Sequence, residues 1–141
     1  MSFRPAAAVD MLLSEVDTPC LILDLDAFER NLKRLPDSLA GRNIKLRPHA
    51  KSHKCPEIAQ RQLAAGAVGV CCQKVSEAEA MVNGGIRDIL IANEVVGAAK
   101  LKSLAALARR ATIKVCADDA GNVRDLDEAA RAADVRLDVL V

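Results

Sequence analysis

The residue types most able to do chemistry are concentrated in residues 45–54, which read KLRPHAKSHK. If the first part of this segment is a β-strand, alternation places cationic or titratable side chains together on one face: Lys45, Arg47, His49 and Lys51. One interpretation is a solvated edge strand, which Pro48 favours because proline cannot donate to a strand ladder. The other places the row inside a barrel, with Lys51 at the carboxyl end of the strand, where barrel active sites lie. The segment alone leaves both interpretations open.

A lysine at the mouth of a barrel has a well-defined chemical use. A lysine amine becomes a nucleophile when burial and neighbouring positive charge lower its pKa. Arg47, His49 and Lys54 are positive or titratable neighbours of Lys51 in the sequence. Such an amine forms a Schiff base with an aldehyde, either that of pyridoxal phosphate or that of a carbonyl substrate. These residues do not choose between the two.

Short apolar or β-branched runs alternate with helical patterns along the chain. From the second run onward they recur at intervals of roughly 20 to 25 residues, as in a strand–helix repeat. Several runs are apolar on both faces, which is typical of parallel strands covered by helices. The predicted strands are Cys20–Leu25 as a lead-in, then Lys45–Ala50, Ala67–Gln73, Asp88–Asn93, Thr112–Ala117 and Leu137–Val141.

The alternation predicts an α/β fold, an incomplete (β/α) TIM-type barrel with about five parallel strands plus the lead-in strand. A nucleotide-binding doubly wound sheet is disfavoured, because neither G-x-G-x-x-G nor G-x-x-x-x-G-K-[ST] occurs. A complete barrel needs about 250 residues. We therefore expect residues 1–16 to form an N-terminal arm and residues 17–141 the N-terminal portion of a barrel, with the remainder of the barrel absent.

Local signals predict several helix boundaries. Ser76 and Glu79 have the spacing of a capping box, and Pro36 is expected to end or kink the first helix. Asp118 and Asp119 together are typical of an N-cap. The remaining signals are a stop at 83–85 (Asn-Gly-Gly) and helical periodicity over 97–110 and 119–133.

The composition excludes several classes of function. With 20 Lys and Arg against 19 Asp and Glu, and only Phe3 and Phe28 as aromatic residues, a nucleic-acid partner is not expected. The longest uncharged stretch, Gln62–Gln73, is shorter than the roughly 18 apolar residues that cross a membrane, and the N-terminus lacks the pattern of a secretory signal. The five cysteines have neither disulfide nor C-x-x-C spacing. We therefore expect a cytoplasmic protein, not associated with a membrane, with reduced and buried thiols.

Polar residues that end other predicted strands are further candidates for a site. Gln73 could hydrogen-bond a cofactor or be an ordinary strand-end residue, and Asn93 could contact a cofactor or cap the following helix. His49 is either a cofactor contact or a packed barrel residue. His49 and His53 have H-x-x-x-H spacing, but an extended segment does not bring both imidazoles to one metal ion. No metal ligand is predicted in the chain.

Longer motifs identify a family resemblance. The string RPHAKSHK is preceded by TPCLILDLDAFERN and followed by QLAAGAVGVCCQKVSEAEAMVNGGIRDILIANEVVGAAK. In this order the strings closely resemble the D-threonine aldolase and D-serine dehydratase family, which includes the 3-hydroxy-D-aspartate aldolases. These are pyridoxal phosphate enzymes with an alanine-racemase-like barrel. The resemblance runs from about Asp17 to the end of the chain.

The resemblance implies that Lys51 carries pyridoxal 5'-phosphate as a Schiff base and exchanges it for a D-β-hydroxy amino acid. His49, Gln73 and Asn93 are the other candidate cofactor-binding residues. In the aldolase branch, which we take as the expected activity, the Cα–Cβ bond breaks and glycine and an aldehyde form. In the dehydratase branch the β-hydroxyl leaves, giving a keto acid and ammonia.

The resemblance also implies parts that lie beyond Val141. These are the ligands of a divalent metal (Mn or similar), the phosphate-binding loops and a C-terminal β domain. We therefore expect this chain alone to bind the cofactor weakly and to be inactive, and a homo-oligomer is a possible assembly. The alternatives are a non-catalytic truncated barrel module and an unrelated aldolase that uses Lys51 directly on a carbonyl substrate.

Overall fold

The computed structural model describes residues 7–141, which form two compact units divided between Asn31 and Leu32. A 3₁₀ turn at Leu13–Glu15 precedes the helices, which are α1 (Leu25–Leu39), α2 (Pro56–Ala64), α3 (Val75–Asn83), α4 (Ala98–Ala108) and α5 (Ala120–Ala133). The strands are β1 (Val70–Cys72), β2 (Asp88–Glu94), β3 (Thr112–Cys116) and β4 (Asp138–Leu140). From β1 onward strands and helices alternate, as predicted.

In the first unit, the predicted lead-in strand at Cys20–Leu25 is wrong. Residues 20–24 have no regular secondary structure, and α1 begins at Leu25, where the Asp24 carboxylate accepts the Ala27 N–H at 2.8 Å. A strand needs a hydrogen-bonding partner, and no segment within residues 7–141 pairs with this one. Of the predicted arm over residues 1–16, residues 1–6 lie outside the described residues.

Three of the predicted helix boundaries concern α1, the end of α3 and the start of α5. Pro36 does not end α1, which continues to Leu39. Proline's fixed φ is compatible with a helix, so its interior position removes one hydrogen bond without stopping the helix. The other two boundaries are confirmed, because Gly84 follows the last residue of α3 and Asp119 accepts the Asn122 N–H at 2.8 Å at the start of α5.

The strands form one parallel sheet in the order β1-β2-β3-β4, so each strand lies beside its successor in the chain. The register pairs Val70 with Ile89 and Ile89 with Ile113, and a helix connects each pair of strands. This sequential order is typical of a (β/α) barrel, whereas the strand order of a doubly wound sheet reverses. The predicted α/β fold with a parallel sheet is confirmed.

The predicted strand at Lys45–Ala50 lies parallel to β1 but forms only an isolated bridge, between His49 and Cys71. The Cys71 N–H donates to the Pro48 carbonyl at 2.8 Å, and the Cys71 carbonyl accepts the Ala50 N–H at 2.7 Å. Pro48 has no N–H of its own, which interrupts the ladder on its amino side. The segment is therefore aligned like a fifth strand without having a continuous strand's hydrogen bonds.

Alternation along the strands separates an apolar face from a polar one. The apolar face is covered by helices and is closed to solvent; its buried residues are Val70, Cys72, Ile89, Ile91, Ile113 and Val115. Helices α3, α4 and α5 pack on it with Met81, Val82, Leu104, Leu107 and Leu126. The opposite face, which is the interior face in a barrel, carries Arg47, Asp88 and Lys114.

Replacing Leu104 by alanine tests this core. Leu104 is fully buried on α4, so Leu104→Ala is expected to lower the free energy of unfolding by about 2–5 kcal/mol, through lost burial and the cavity left behind. Urea denaturation of the purified protein measures the change. Lys102→Ala, at an exposed position of the same helix, is the control and is expected to change it by less than about 0.5 kcal/mol. Equal effects of the two substitutions would contradict the packing described here.

Candidate active site

Lys51 lies directly after the segment that pairs with β1. Ala50, the residue before it, is fully buried and is held by its hydrogen bond to Cys71. Lys51 is exposed, in a turn, and its Nζ donates to Oε1 of Gln73 at 3.3 Å. Because Gln73 immediately follows β1, the Lys51 amine lies at the carboxyl end of the neighbouring strand. The structure thus brings together two of the predicted site residues.

Lys54 ties down the turn that follows Lys51. The Lys54 N–H donates to the Ala50 carbonyl at 2.9 Å, and its φ is +52°. A left-handed backbone at a residue with a long side chain costs of order 1–3 kcal/mol and persists only where neighbouring contacts hold it. Here the Lys54 Nζ donates to the Lys51 carbonyl and lies 3.3 Å from Oε1 of Glu77. One ammonium group therefore joins the turn to helix α3.

Glu77 is the buried acceptor in this arrangement. It is 8% exposed, and its Oε2 accepts the N–H groups of Gln73 at 2.8 Å and Lys74 at 3.3 Å. Burial by itself would raise the pKa of the Glu77 carboxyl, but the Gln73 N–H and the Lys54 ammonium outweigh it and lower that pKa below its usual value. The carboxylate is therefore charged at neutral pH, although it lies inside the protein.

The sequence pattern does not reveal Glu77, because it places the start of α3 too late. The predicted capping box of Ser76 and Glu79 is wrong, since α3 begins at Val75 and its third residue is Glu77. The helix starts earlier because Val75 is buried and belongs to the apolar core. Counting three residues back from each glutamate to the end of the preceding strand run would have given the correct register.

His49 and Cys71 lie on the polar face, on the amino side of Lys51. The Cys71 Sγ is 3.6 Å from the His49 Nε2, and the His49 Nδ1 is buried without a hydrogen-bond partner. Burial raises the pKa of the Cys71 thiol and raises that of Cys72, which belongs to the helix-covered core, to about 12. Both thiols are therefore protonated at neutral pH. The two adjacent cysteines of β1 therefore lie on opposite faces of the sheet, because side chains alternate along a strand.

Asp88 links two cations on the same polar face. Its Oδ1 is 2.8 Å from Nη1 of Arg47 and 2.6 Å from Nζ of Lys114. Gly69 makes room for this group, because a Cβ there would meet the Arg47 guanidinium and the backbone carbonyl of Asp88. Arg47 is therefore ion-paired across strands rather than solvated on an edge, whereas Lys45 is exposed. Of the side chains predicted to share one inward face, Arg47 and His49 lie on the polar face of the sheet, whereas Lys45 does not.

The other predicted site residues differ in how close they come to Lys51. The Asn93 Nδ2 is 3.5 Å from the Gln73 carbonyl, at the outer limit of a hydrogen bond, so Asn93 lies beside the Gln73 backbone. His49 lies two residues before Lys51 in the chain and pairs with Cys71 in the isolated bridge. Asp118, which the sequence predicts as part of an N-cap pair, is exposed, and its neighbour Asp119 caps α5.

A cleft of about 1050 Å³ lies at the opposite, amino end of the strands. Arginines that line it donate to groups at the ends of helices: Arg109 to the Ala133 carbonyl at 2.7 Å and Arg110 to the Asn83 side chain at 2.9 Å. The Arg109 contact satisfies a carbonyl at the C-terminus of α5, as cations near a helix end commonly do, and the Arg110 contact joins side chains. The side chains that could take part in a reaction therefore lie at the carboxyl end of the strands, around Lys51.

The fold is a parallel sheet in sequential order, and a lysine and polar side chains lie at its carboxyl edge. A comparison with protein families agrees with this arrangement. The family described as alanine racemase, N-terminal domain, matches residues 23–141. The chain belongs to this family.

Individual relatives of this alanine-racemase-like chain are longer than the chain itself. A D-threonine aldolase from Arthrobacter sp. is 56% identical over 141 residues, which is 100% of this chain and 37% of the relative. A 3-hydroxy-D-aspartate aldolase from Paracoccus denitrificans is 48% identical over 130 residues, which is 91% of this chain and 34% of the relative. The crystal structure of a D-threonine aldolase from Filomicrobium marinum superposes with a TM-score of 0.94 at 61% identity, covering 99% of this chain and 38% of that one. The chain therefore spans little more than a third of the length of these relatives.

Three further findings concern the part of the chain that the structure describes. Within residues 7–141 of this alanine-racemase-like domain, no three or more His, Cys, Asp or Glu side chains come together as metal ligands. None of the helices in that range is long and apolar enough to cross a membrane. The five cysteines are all free, two of them buried and three partly exposed.

The Asp88 carboxylate is expected to make the free energy of unfolding depend on pH. Burial would raise the pKa of its carboxyl, but the hydrogen bonds from Lys114 and Arg47 hold it below the ordinary value. A carboxyl with a lowered folded pKa stabilises the fold above its unfolded pKa, and this contribution is lost as the pH falls through the folded pKa. Asp88→Asn is therefore expected to lower the free energy of unfolding by about 1–3 kcal/mol at neutral pH, with the difference from the unaltered domain shrinking in acid.

Urea denaturation of both proteins between pH 7 and pH 3 measures this difference. Asp125→Asn, at an exposed position of α5, is the control and is expected to change stability by less than about 0.5 kcal/mol throughout. A loss of stability in Asp88→Asn that is equally large at both ends of the pH range would show that the charge of Asp88 is not the cause.

Proposed function

We propose that this chain forms the N-terminal portion of the barrel of a pyridoxal phosphate-dependent lyase that cleaves D-β-hydroxy amino acids by a retro-aldol reaction. The observation that carries the proposal is the exposed Lys51 amine, 3.3 Å from Gln73 at the carboxyl edge of the sheet. Its support is the 56% identity, over the whole chain, to a protein named D-threonine aldolase. The proposed substrate class is D-threonine or a related 3-hydroxy-D-amino acid.

The residues present fit an aldehyde cofactor. An aldehyde needs a primary amine that it can reach, and Lys51 is exposed while its neighbour Ala50 is fixed in the core. Gln73 accepts a hydrogen bond from that amine. The buried Nδ1 of His49 has no partner and is available to a hydrogen-bonding group. We assign Lys51, His49, Gln73 and Asn93 to the cofactor-binding edge.

Each residue has a distinct role in the proposed reaction. When bound, the pyridine ring of the cofactor supplies an electron sink for the carbanion at Cα of the amino acid. Lys51 would hold the cofactor, because its exposed primary amine is the group that an aldehyde requires. Gln73 keeps the Lys51 amine over the strand end, and Asn93 supports the Gln73 backbone. Cys71 and Cys72 do not compete as nucleophiles, because burial keeps both thiols protonated.

Three finer features stay proposals of the same kind. A divalent metal such as manganese would act on the β-hydroxyl of the substrate, held by ligands other than the residues described here. A homo-oligomeric assembly and a cytoplasmic location stay proposals as well.

Covalent trapping tests the assignment of Lys51. The protein expressed from the complete native reading frame that contains this sequence is incubated with pyridoxal phosphate, reduced with borohydride and mapped by peptide mass spectrometry. A pyridoxyl group is expected on Lys51, and Lys51→Ala is expected to abolish it while leaving the fold intact. Lys45→Ala, an exposed lysine at the other end of the same segment, is the matched control and is expected to retain the adduct. An adduct on Lys54 or Lys74 instead would contradict the assignment.

Product analysis tests the reaction type. With D-threonine, the same full-length protein is expected to form glycine and acetaldehyde in equal amounts, and L-threonine is expected to react at a rate at least about a hundredfold lower. Chromatography of the amino acid and a coupled assay of the aldehyde measure both products. Formation of a keto acid and ammonia would instead indicate the dehydratase reaction and would overturn the aldolase proposal.

A further inference from the structure

The contacts around Lys51 form a closed ring. The Lys51 Nζ donates to the Gln73 side chain at 3.3 Å, and the Gln73 N–H donates to Glu77 at 2.8 Å. The other oxygen of Glu77 is 3.3 Å from the Lys54 Nζ, which in turn donates to the Lys51 carbonyl. The ring begins and ends on Lys51, and Glu77 supplies its one carboxylate.

We propose that Glu77 is a positioning residue that holds the Lys51 amine against Gln73 at the end of β1. This inference rests on the function proposed above for Lys51. Glu77 acts through Lys54 on one side and through the Gln73 backbone on the other, and the amine itself bonds to Gln73. An amine that must meet an aldehyde carbon reacts fastest when it is held in one place.

Helix capping alone does not account for Glu77. A glutamate at the third position of a helix commonly accepts backbone N–H groups at the helix start, and this explains the contacts of Oε2 with Gln73 and Lys74. It does not explain why Oε1 faces Lys54, on a different loop. A carboxylate that only capped the helix could also stay in water, whereas Glu77 is 8% exposed. Burial of a charge is costly unless donors compensate for it, so the contact with Lys54 is part of what keeps Glu77 in place.

Lys54 transmits the effect of Glu77 to Lys51. Its backbone is left-handed, with a φ of +52°, and its ammonium group is the contact between the turn and α3. Without the Glu77 charge, the ammonium loses its ionic partner and the Lys51 carbonyl loses a donor held in a fixed position. Loss of one hydrogen bond between charged groups is expected to change the population of the positioned turn by about tenfold.

The test uses two matched pairs of variants in the full-length protein. Glu77→Gln is compared with Glu79→Gln, which alters an exposed glutamate on the same helix. Lys54→Met is compared with Lys54→Arg, because arginine keeps the cation and methionine removes it. For each variant, the dissociation constant of pyridoxal phosphate is measured by titration. The fraction of bound cofactor that borohydride fixes to Lys51 and the thermal unfolding midpoint without cofactor are measured in parallel.

Glu77→Gln and Lys54→Met are each expected to weaken cofactor binding about tenfold and to lower the fraction fixed to Lys51. The double variant is expected to be no worse than either single variant, because both break the same chain of contacts. Glu79→Gln and Lys54→Arg are expected to stay within about twofold of the unaltered protein.

The inference is overturned if folded Glu77→Gln and Lys54→Met bind and fix the cofactor as Glu79→Gln does, even when their unfolding midpoints fall. If Glu77→Gln does not fold, Lys54→Met decides, since the Lys54 side chain is 59% exposed. Failure of the proposed function looks different, because the unaltered protein would then carry no pyridoxyl group on Lys51.

Discussion

The parallel alignment of residues 46–50 with β1 is the constraint on which the candidate active site depends. Cys71 is bonded through its N–H to Pro48 and through its carbonyl to Ala50, so the chain leaves the sheet at Lys51, beside Gln73. Parallel strands end at a common edge, which brings the end of β2 there as well. A shift of this pairing by one residue would exchange the two faces and direct His49 and Arg47 into the apolar layer under the helices.

Charged side chains that the structure describes on the polar face of the sheet have partners. Asp88 holds Arg47 and Lys114, and Gly69 leaves the space that the Arg47 guanidinium occupies. At the carboxyl edge Glu77 is buried and is compensated by backbone N–H groups and by Lys54. Charges in a poorly solvated region stay ionised only when donors or opposite charges replace water. The same arrangement that makes these charges tolerable therefore also fixes the turn that bears Lys51.

The differences between prediction and structure have physical causes that are not local. Residues 20–23 are all apolar, yet residues 20–24 form no strand, because no described segment offers them a partner. The Ser76–Glu79 pair has capping-box spacing, but burial of Val75 starts the helix earlier and gives the N3 position to Glu77. Pro36 has a helix-breaking side chain, and α1 continues through it. In the first two instances the tertiary context overrides a local pattern, and in the third the helix forms despite the hydrogen bond that Pro36 cannot donate.

The sequence by itself determined the alternation of strands and helices, the parallel sheet and the place of Lys51 after a strand-like segment, because hydrophobic periodicity and chain order are local properties. Its motifs also indicated the family to which the chain belongs. Only the tertiary structure decided that Gln73 meets the Lys51 amine and that Glu77 and Lys54 close a ring around it. Those contacts join residues distant in sequence, and their geometry depends on the register of β1 and the first turn of α3, which no local pattern specifies.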